Sequence, residues 1–303
     1  MTGLFSEMKK IYIVDGFNLI FRSFYAIRGL SRKDGFPTNA LHGWVRSLWK
    51  LQDEPDVARL MVVFDVGEDE FRKNLLPEYK AQRKETPEDL LKQIPVIKEM
   101  TRAMGIPGVY SEGIEADDII ATLAATEAKS GDHEVNIVSA DKDLAQCVGE
   151  RIFLLLPPPS ANAKSGWKRL DASGVIEKFG VGPHQIPDYL ALIGDTADNI
   201  KGLPGVGPKT AAKWLQSFGS LEEILVHHKD LRPPRFAPLV EENQDLLRRN
   251  LQLTTLRCEV SLPPMEIPTG DFSDLFRLLE EMEMKKALED ARERYGQGEF
   301  RFT

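Results

Sequence analysis

The sequence predicts an α/β domain followed by an all-helical one. Three observations carry that expectation. Short apolar runs alternate with helical patterns through the first half, acidic residues close those runs, and beyond residue 170 the chain breaks into short helices joined by Gly/Pro turns. Strands are expected at 10–14, 60–65, 135–139 and 151–156, alternating with helices as in the βαβ units of a parallel sheet. Helices are expected at 39–51 and 117–129. Thr86-Pro-Glu-Asp89 reads as a helix start, with Thr86 as N-cap and Pro87 at the first helical position. Leu90, Ile94, Ile97, Met100 and Met104 then give one core-facing stripe. After a Pro-rich break at 157–168, helices are expected at 171–179, 183–194, 208–217, 220–227 and 240–251. Ser220 and Glu223 have the spacing of a capping box. A single helix with a charged face should cover 272–294. There are no internal repeats, and the change of character near 160–170 marks a domain boundary.

Bulk properties narrow the function. The 303 residues are 42% hydrophobic, enough for a real core, and no run of 18 apolar residues offers a membrane span. Met1-Thr-Gly-Leu-Phe-Ser-Glu has no basic start followed by an apolar run, so it does not read as a secretory signal. Cys147 and Cys258 have neither metal-ligand nor redox spacing, as expected of reduced thiols in the cytoplasm. The net charge of −8 speaks, on average, against a nucleic-acid partner. That average misleads if the acids are concentrated in one place.

Nine acids stand where strands end or helices begin: Asp15, Asp65, Glu115, Asp117, Asp118, Asp141, Asp143, Asp195 and Asp198. The carboxyl ends of parallel strands face one crevice. Carboxylates gathered there repel one another, and a hard divalent cation with oxygen ligands, magnesium or manganese, relieves the repulsion. One acid in the first turn of a helix is ordinarily explained by the helix dipole. Glu115, Asp117 and Asp118 are three within four residues. Asp141 and Asp143 follow a strand at i, i+2, which puts both on one side of an extended segment but also fits a turn with two solvated acids. Asp195 and Asp198, at i, i+3, share a face if their segment is helical.

Two further stretches look suited to phosphates. Gly202-Leu-Pro-Gly205-Val-Gly207-Pro-Lys209-Thr210 is a Gly-punctuated turn leading into a helix. Its free N–H groups, with Lys209 and Lys213 close by, form an anion site. It is not a nucleotide-binding P-loop, because Pro-Lys rather than Lys-Ser/Thr follows Gly207. Between Asp65 and residue 87, Arg72, Lys73, Lys80, Arg83 and Lys84 surround Tyr79, pairing charge for phosphates with a ring for a base. The plain alternative is a solvated basic face.

These motifs together resemble the 5′-nuclease superfamily, in particular the bacterial and phage 5′→3′ exonuclease/flap endonuclease branch that includes the N-terminal nuclease domain of DNA polymerase I. The resemblance covers roughly residues 10–290. It rests on Ile13-Val-Asp15-Gly, Val63-Phe-Asp65, Tyr79-Lys80-Ala-Gln-Arg83, Glu115-Ala-Asp117-Asp118, Ser139-Ala-Asp141-Lys-Asp143, Gly194-Asp195-Thr-Ala-Asp198-Asn199-Ile and the Gly202–Ala211 turn, in that order.

The resemblance implies a PIN-like parallel sheet flanked by helices over 8–169, with a helical arch at about 70–104. A helical DNA-binding subdomain with a helix-three-turn-helix element would follow over 170–270, then a C-terminal helix over 271–303. It implies a monomeric hydrolase that cuts DNA near a free 5′ end or 5′ flap, with two magnesium ions that manganese can replace. Asp15, Asp65, Glu115 and Asp117 would hold the first ion. Asp118, Asp141, Asp143, Asp195 and Asp198 would shape the second site. Lys80 and Arg83 would act at the scissile phosphate and Tyr79 would stack on a base. Arg72, Lys73 and Lys84 would contact DNA from the basic stretch, and Gly202, Gly205, Gly207, Lys209, Thr210 and Lys213 from the turn. A potassium ion is expected at that turn, and a DNA polymerase as partner. With no polymerase-like region after residue 303, the chain reads as a stand-alone enzyme or a piece of a longer one. Lys201 stands where many relatives have Pro, and Ala140 where Gly is common. Two other readings share parts of the pattern: a DNA-structure binder that does not cut, and a small PIN-type ribonuclease.

Overall fold

The first apolar run lies in the middle of a six-stranded sheet. In the computed structural model, which describes residues 8–65, 67, 69–158, 166–262, 265 and 267–296, β1 (Lys9–Asp15) pairs in parallel with β2 (Val57–Val63) on one side and β4 (His133–Val138) on the other. β3 (Gly108–Val109) continues beyond β2 and β5 (Ile152–Leu156) beyond β4. β6 (Lys168–Leu170) closes the far edge antiparallel, giving the order β3-β2-β1-β4-β5-β6. β3 and β6 are two and three residues long, too short for alternation to announce them in the sequence.

Alternation along β1 divides the core. Ile11 and Ile13 face a layer that includes α6 (Ala116–Ser130), while Tyr12 and Val14 face α1 (Gly16–Ala26), α2 (Asn39–Gln52) and α5 (Gln93–Ala103). All four side chains are buried, so both faces of the sheet are covered, as parallel sheets require.

The expected helix start at Thr86 is displaced. Pro87 takes the N-cap position without a side-chain cap, α4 (Glu88–Leu91) stops after one turn, and α5 begins at Gln93. Pro95 accounts for the break, since it has no N–H for the Leu91 carbonyl and its ring crowds the preceding turn. The apolar stripe survives the break: Leu90, Ile97, Met100 and Met104 are buried, and Ile94 packs on the same core.

The helical part comprises α7 (Ala172–Phe179), α8 (Ile186–Ile193), α9 (Pro208–Phe218), α10 (Leu221–Val226), α11 (Phe236–Glu242) and α12 (Gln244–Thr254). The Ser220 hydroxyl caps α10 by accepting from the Glu223 N–H at 3.3 Å. The helix expected to reach 194 ends at Ile193. Gly194 adopts φ +76°, and β7 (Gly194–Asp195) pairs with β8 (Ile200–Lys201) as a small hairpin. Asp195 and Asp198 therefore lie in a tight turn rather than on a helix face.

One long final helix was expected, and two form: α13 (Phe272–Glu281) and α14 (Lys285–Tyr295), separated by Glu283 at φ +53°. No Gly or Pro marks the break; Met282 and Met284 are buried on either side of it, so packing decides it. Both helices return to the sheet layer. The Asp271 N–H bonds the Ala103 carbonyl at 3.0 Å, and the Tyr295 hydroxyl bonds Gln52 Oε1 at 3.1 Å.

Candidate active site

The strand order reverses at β1, with β2 on one side and β4 on the other, so the crevice outside their carboxyl ends is the natural ligand site. Asp15 ends β1 and caps α1: its Oδ1 accepts from the Asn18 N–H at 3.1 Å, and its Oδ2 accepts from the Ser139 hydroxyl at 2.7 Å. Ser139 immediately follows β4, and its Oγ accepts from the Asp141 N–H at 3.0 Å. Asp141 Oδ1 in turn accepts from the Asp143 N–H at 3.0 Å, which makes this segment a turn rather than an extended strand. Asn18 ties the same segment down by accepting from the Ala140 N–H at 3.0 Å. Glu115 is the N-cap of α6 and Asp117 lies in its first turn. Asp65 stands two residues beyond β2.

The hairpin of the helical part supplies the rest. Oxygens of Asp143, Asp195 and Asp198 all lie within 4.8 Å of one another. One Asp143 oxygen is buried with no hydrogen-bond partner, an expensive condition for a carboxylate. Burial pushes the Asp15 carboxyl up to about 6, with the Asp141 and Asp65 charges adding to the rise and the Ser139 and Asn18 bonds opposing it. Asp117 and Asp143 are held well above the usual carboxylate range, by burial first and then by repulsion from Asp141 and other acids. Asp141 is raised by burial and by Asp198 and Asp195. A partly buried, all-oxygen donor set with an orphaned carboxylate oxygen fits a hard divalent cation.

The chain's own cations answer only part of this charge. Lys80 pairs with Glu115, Arg83 with Asp198 at 3.0 Å, and Lys142 with Asp195 at 3.0 Å. Lys80 adopts φ +58°, a left-handed conformation unusual for a side-chain-bearing residue, and its N–H donates to the Asp198 carbonyl at 3.1 Å. Among the described residues, no basic side chain forms an ion pair with Asp117, Asp141 or Asp143.

Family comparison agrees with this geometry. Residues 10–180 match the model of the 5′-3′ exonuclease N-terminal resolvase-like domain, and residues 181–273 that of the 5′-3′ exonuclease C-terminal SAM fold. The chain belongs to the 5′-3′ exonuclease family. It is 40% identical over 284 residues to a 5′-3′ exonuclease of Aquifex aeolicus, covering 93% of this chain and 95% of that protein. It is 36% identical over 262 residues to the thermostable DNA polymerase I of Thermus thermophilus, of which it spans 30%. Among solved structures, the bacteriophage T5 flap endonuclease in complex with DNA and metal ions matches with a TM-score of 0.68 at 22% identity, over 95% of this chain and all of that one. The catalytic core of Rad2 with DNA substrate matches with a TM-score of 0.57 at 15% identity, over 94% and 93% of the two chains.

Within this exonuclease fold, Asp118, Arg72 and Tyr79 are engaged by other residues, and packing limits Gly202 to a residue without a side chain. Asp118 is fully buried and faces away from the crevice: Arg72 and Arg257 donate to it, and their bonds outweigh burial to hold its carboxyl below the usual range. Arg72 is 1% exposed, and Asp69, Asp118 and two backbone carbonyls occupy its guanidinium, so nothing is left for a DNA phosphate. The Tyr79 ring is 4% exposed and packs against Ile200 and Leu253, which rules out base stacking in this arrangement. Its hydroxyl lies 3.2 Å from both Glu115 and Asp198. Gly202 lacks a side chain for a packing reason, because a Cβ there would lie 2.3 Å from the Ile193 carbonyl oxygen.

The remaining candidates are accessible. Lys84, Lys209 and Lys213 are exposed, and Lys73 and Thr210 are half-buried. Gly205 adopts φ +78°, and Gly207 caps α9 with no side-chain bond to the first N–H groups. Sequence reasoning gave no role to Ser139, Asn18 or Lys142. Lys142 was nonetheless legible as the cation between two site acids, whereas Asn18 and Ser139 act through bonds that only the juxtaposed ends of β1 and β4 create.

Proposed function

We propose that this chain hydrolyses DNA phosphodiester bonds from a free 5′ end and at 5′ flaps, using two divalent ions held in the acidic crevice. The observation that carries the reading is the meeting of Asp143, Asp195 and Asp198 within 4.8 Å, from two distant segments, with a buried Asp143 oxygen unpartnered. Asp15, Asp65, Glu115 and Asp117 are the residues to hold one ion, and Asp141, Asp143, Asp195 and Asp198 the other. Magnesium is the ion proposed, with manganese as substitute. When bound, the ions polarise the phosphate and make the attacking water acidic.

The chain's own residues do the rest. Ser139 and Asn18 orient Asp15, so that its lone pairs are aimed before any ligand arrives. Lys80 and Arg83 stand at the rim on a turn tied to the hairpin and counter the charge that grows on the phosphoryl oxygens. Lys209 and Lys213 at the open start of α9 grip the duplex phosphates. A potassium ion at the turn 202–207 and a DNA polymerase working alongside complete the proposal. The polymerase rests on relatives in which a chain of this kind forms only part of a DNA polymerase I.

The test is cleavage of labelled 5′-flap, blunt-duplex and single-stranded DNA during titration with magnesium or manganese. Metal-dependent release of short products from the flap substrate is expected. Binding without cleavage at any metal concentration would leave a DNA-structure binder, and metal-dependent cutting of RNA with no need for a duplex would leave a PIN-type ribonuclease. Exchanging potassium for sodium should weaken duplex binding without changing metal affinity in the crevice.

A further inference from the structure

Behind the crevice lies a second charged cluster that no step of the reaction uses. Arg72 of α3 (Glu70–Leu75) donates through Nη1 to Asp69 at 2.5 Å and to Asp118 at 2.8 Å, and through Nη2 to Asp118 at 2.9 Å. Arg257 adds its N–H at 3.0 Å and Nε at 2.7 Å to Asp118, and its Nη2 lies 3.2 Å from Asp69. Two carboxylates and two guanidiniums thus close a neutral group in which Asp69, Arg72 and Asp118 are buried and Arg257 is partly exposed. Its reach is what matters. Arg72 Nη1 lies 3.4 Å from Glu115, on the side of the metal ligands. Arg72 Nε donates to the Leu253 carbonyl at 3.0 Å, at the end of α12. One turn earlier on α12, Asn250 donates to the Lys201 carbonyl at 2.8 Å, just before the Gly-rich turn, and to the Ala191 carbonyl at 3.1 Å. A chain of buried hydrogen bonds therefore runs from the start of α6, which carries Glu115 and Asp117, to the base of the turn that leads into α9.

We propose that this cluster is a spacer: Arg72 and Asp118 are positioning residues that set the distance between the duplex grip and the metal site, and so decide which phosphodiester bond is cut. The inference rests on the hydrolytic reading above. A duplex held by the Gly-rich turn meets the crevice at a fixed offset only while the two halves keep their relation. Surface packing of helices permits small sliding, whereas a forked guanidinium with all its donors engaged admits one geometry. Asp118, on this account, binds no metal.

The test compares Asp118→Asn with Asp117→Asn in the full chain. Bound Mn²⁺ is counted by calorimetry on metal-stripped protein, and product lengths from an end-labelled 5′-flap substrate are read on a sequencing gel. Asp118→Asn should bind as many ions as the unaltered chain while the share of products cut away from the main position rises at least threefold. Asp117→Asn should lose a bound ion. The proposal is overturned if Asp118→Asn loses an ion as Asp117→Asn does, or if its product lengths match those of the unaltered chain. Should Asp118→Asn fail to fold, Arg257→Gln, altered at a side chain 31% exposed, takes its place with the same two readouts and the same deciding outcomes. Arg72→Lys, which keeps the charge and loses the fork, should broaden the products as well. An unaltered chain that binds no Mn²⁺ and cuts nothing would instead sink the hydrolytic reading, a result distinct from either of these.

Discussion

Asp117 and Asp118 are neighbours in the first turn of α6, yet they belong to regions of opposite electrostatic character. Asp117 faces the crevice, where burial and the Asp141, Asp15 and Glu115 charges drive its carboxyl well upward. Asp118 faces the cluster with Arg72 and Arg257, where donated hydrogen bonds bring its carboxyl below the usual range in spite of burial. Both regions gather acids in a largely or partly buried place. In one the chain supplies matching cations, and the acids act as structure. In the other it supplies too few, so burial and mutual repulsion push the carboxyls toward their protonated form, and the crevice suits an added cation. Incomplete compensation, rather than the number of acids, marks the functional site.

The largest expected effect separates the two regions through activity. Asp141→Asn should lower flap cleavage by at least about 10²-fold, the range for losing one group that stabilises transition-state charge. Metal-free thermal melting should hold or rise, since a repelling charge has gone. Full activity of Asp141→Asn in magnesium would remove the two-ion account. The converse substitution, Asp118→Asn, should cost about 3 kcal/mol in urea unfolding, because it takes one partner from a buried ion cluster. An unchanged midpoint would show that the cluster carries no stability.

The pH dependence of metal-free stability sharpens the contrast. Asp15, raised by burial to about 6, favours the folded state while protonated, so its contribution is present below about pH 4, the unfolded value, and fades as pH rises through 6. Asp118, lowered by its arginines, works the other way: its contribution is present above pH 4 and is lost as pH falls below. In chelator, the crevice should therefore weaken the fold as pH climbs from 4 to 7, and Asp15→Asn should flatten that slope. Added magnesium should stabilise much more at pH 8 than at pH 5, because the ion needs ionised ligands. Equal magnesium-induced shifts in melting temperature at the two pH values would contradict this. The smallest effect concerns the duplex grip. Lys213→Ala should reduce the salt dependence of duplex binding by a slope of about one and leave single-turnover cleavage rates at saturation unchanged. A fall in that rate would give Lys213 a role at the reacting phosphate.

Much of the architecture was legible because the relevant forces are local. Apolar runs placed β1, β2, β4 and β5, and Gly/Pro turns separated the short helices of the second half, although the helix expected to run through Gly194 stops one residue before it. Acids at strand ends pointed to the crevice because parallel topology forces those ends together. Legibility stopped where a contact partner decides the outcome. Pro95 split an expected helix through a carbonyl one turn earlier, Met282 and Met284 split another by being buried, and the hairpin at 194–201 replaced a helix face.

By itself, the sequence determined the alternation of strands and helices followed by an all-helical part, the set of acids and the family, because strand periodicity, residue chemistry and motif order are written along the chain. Only the tertiary structure decided which acids stay uncompensated. Arg72 looks like a DNA contact and Asp118 like a metal ligand until α3, α6 and residue 257 meet. A charge's role depends on what surrounds it within a few ångströms, and here those surroundings come from residues up to 188 positions apart in the chain.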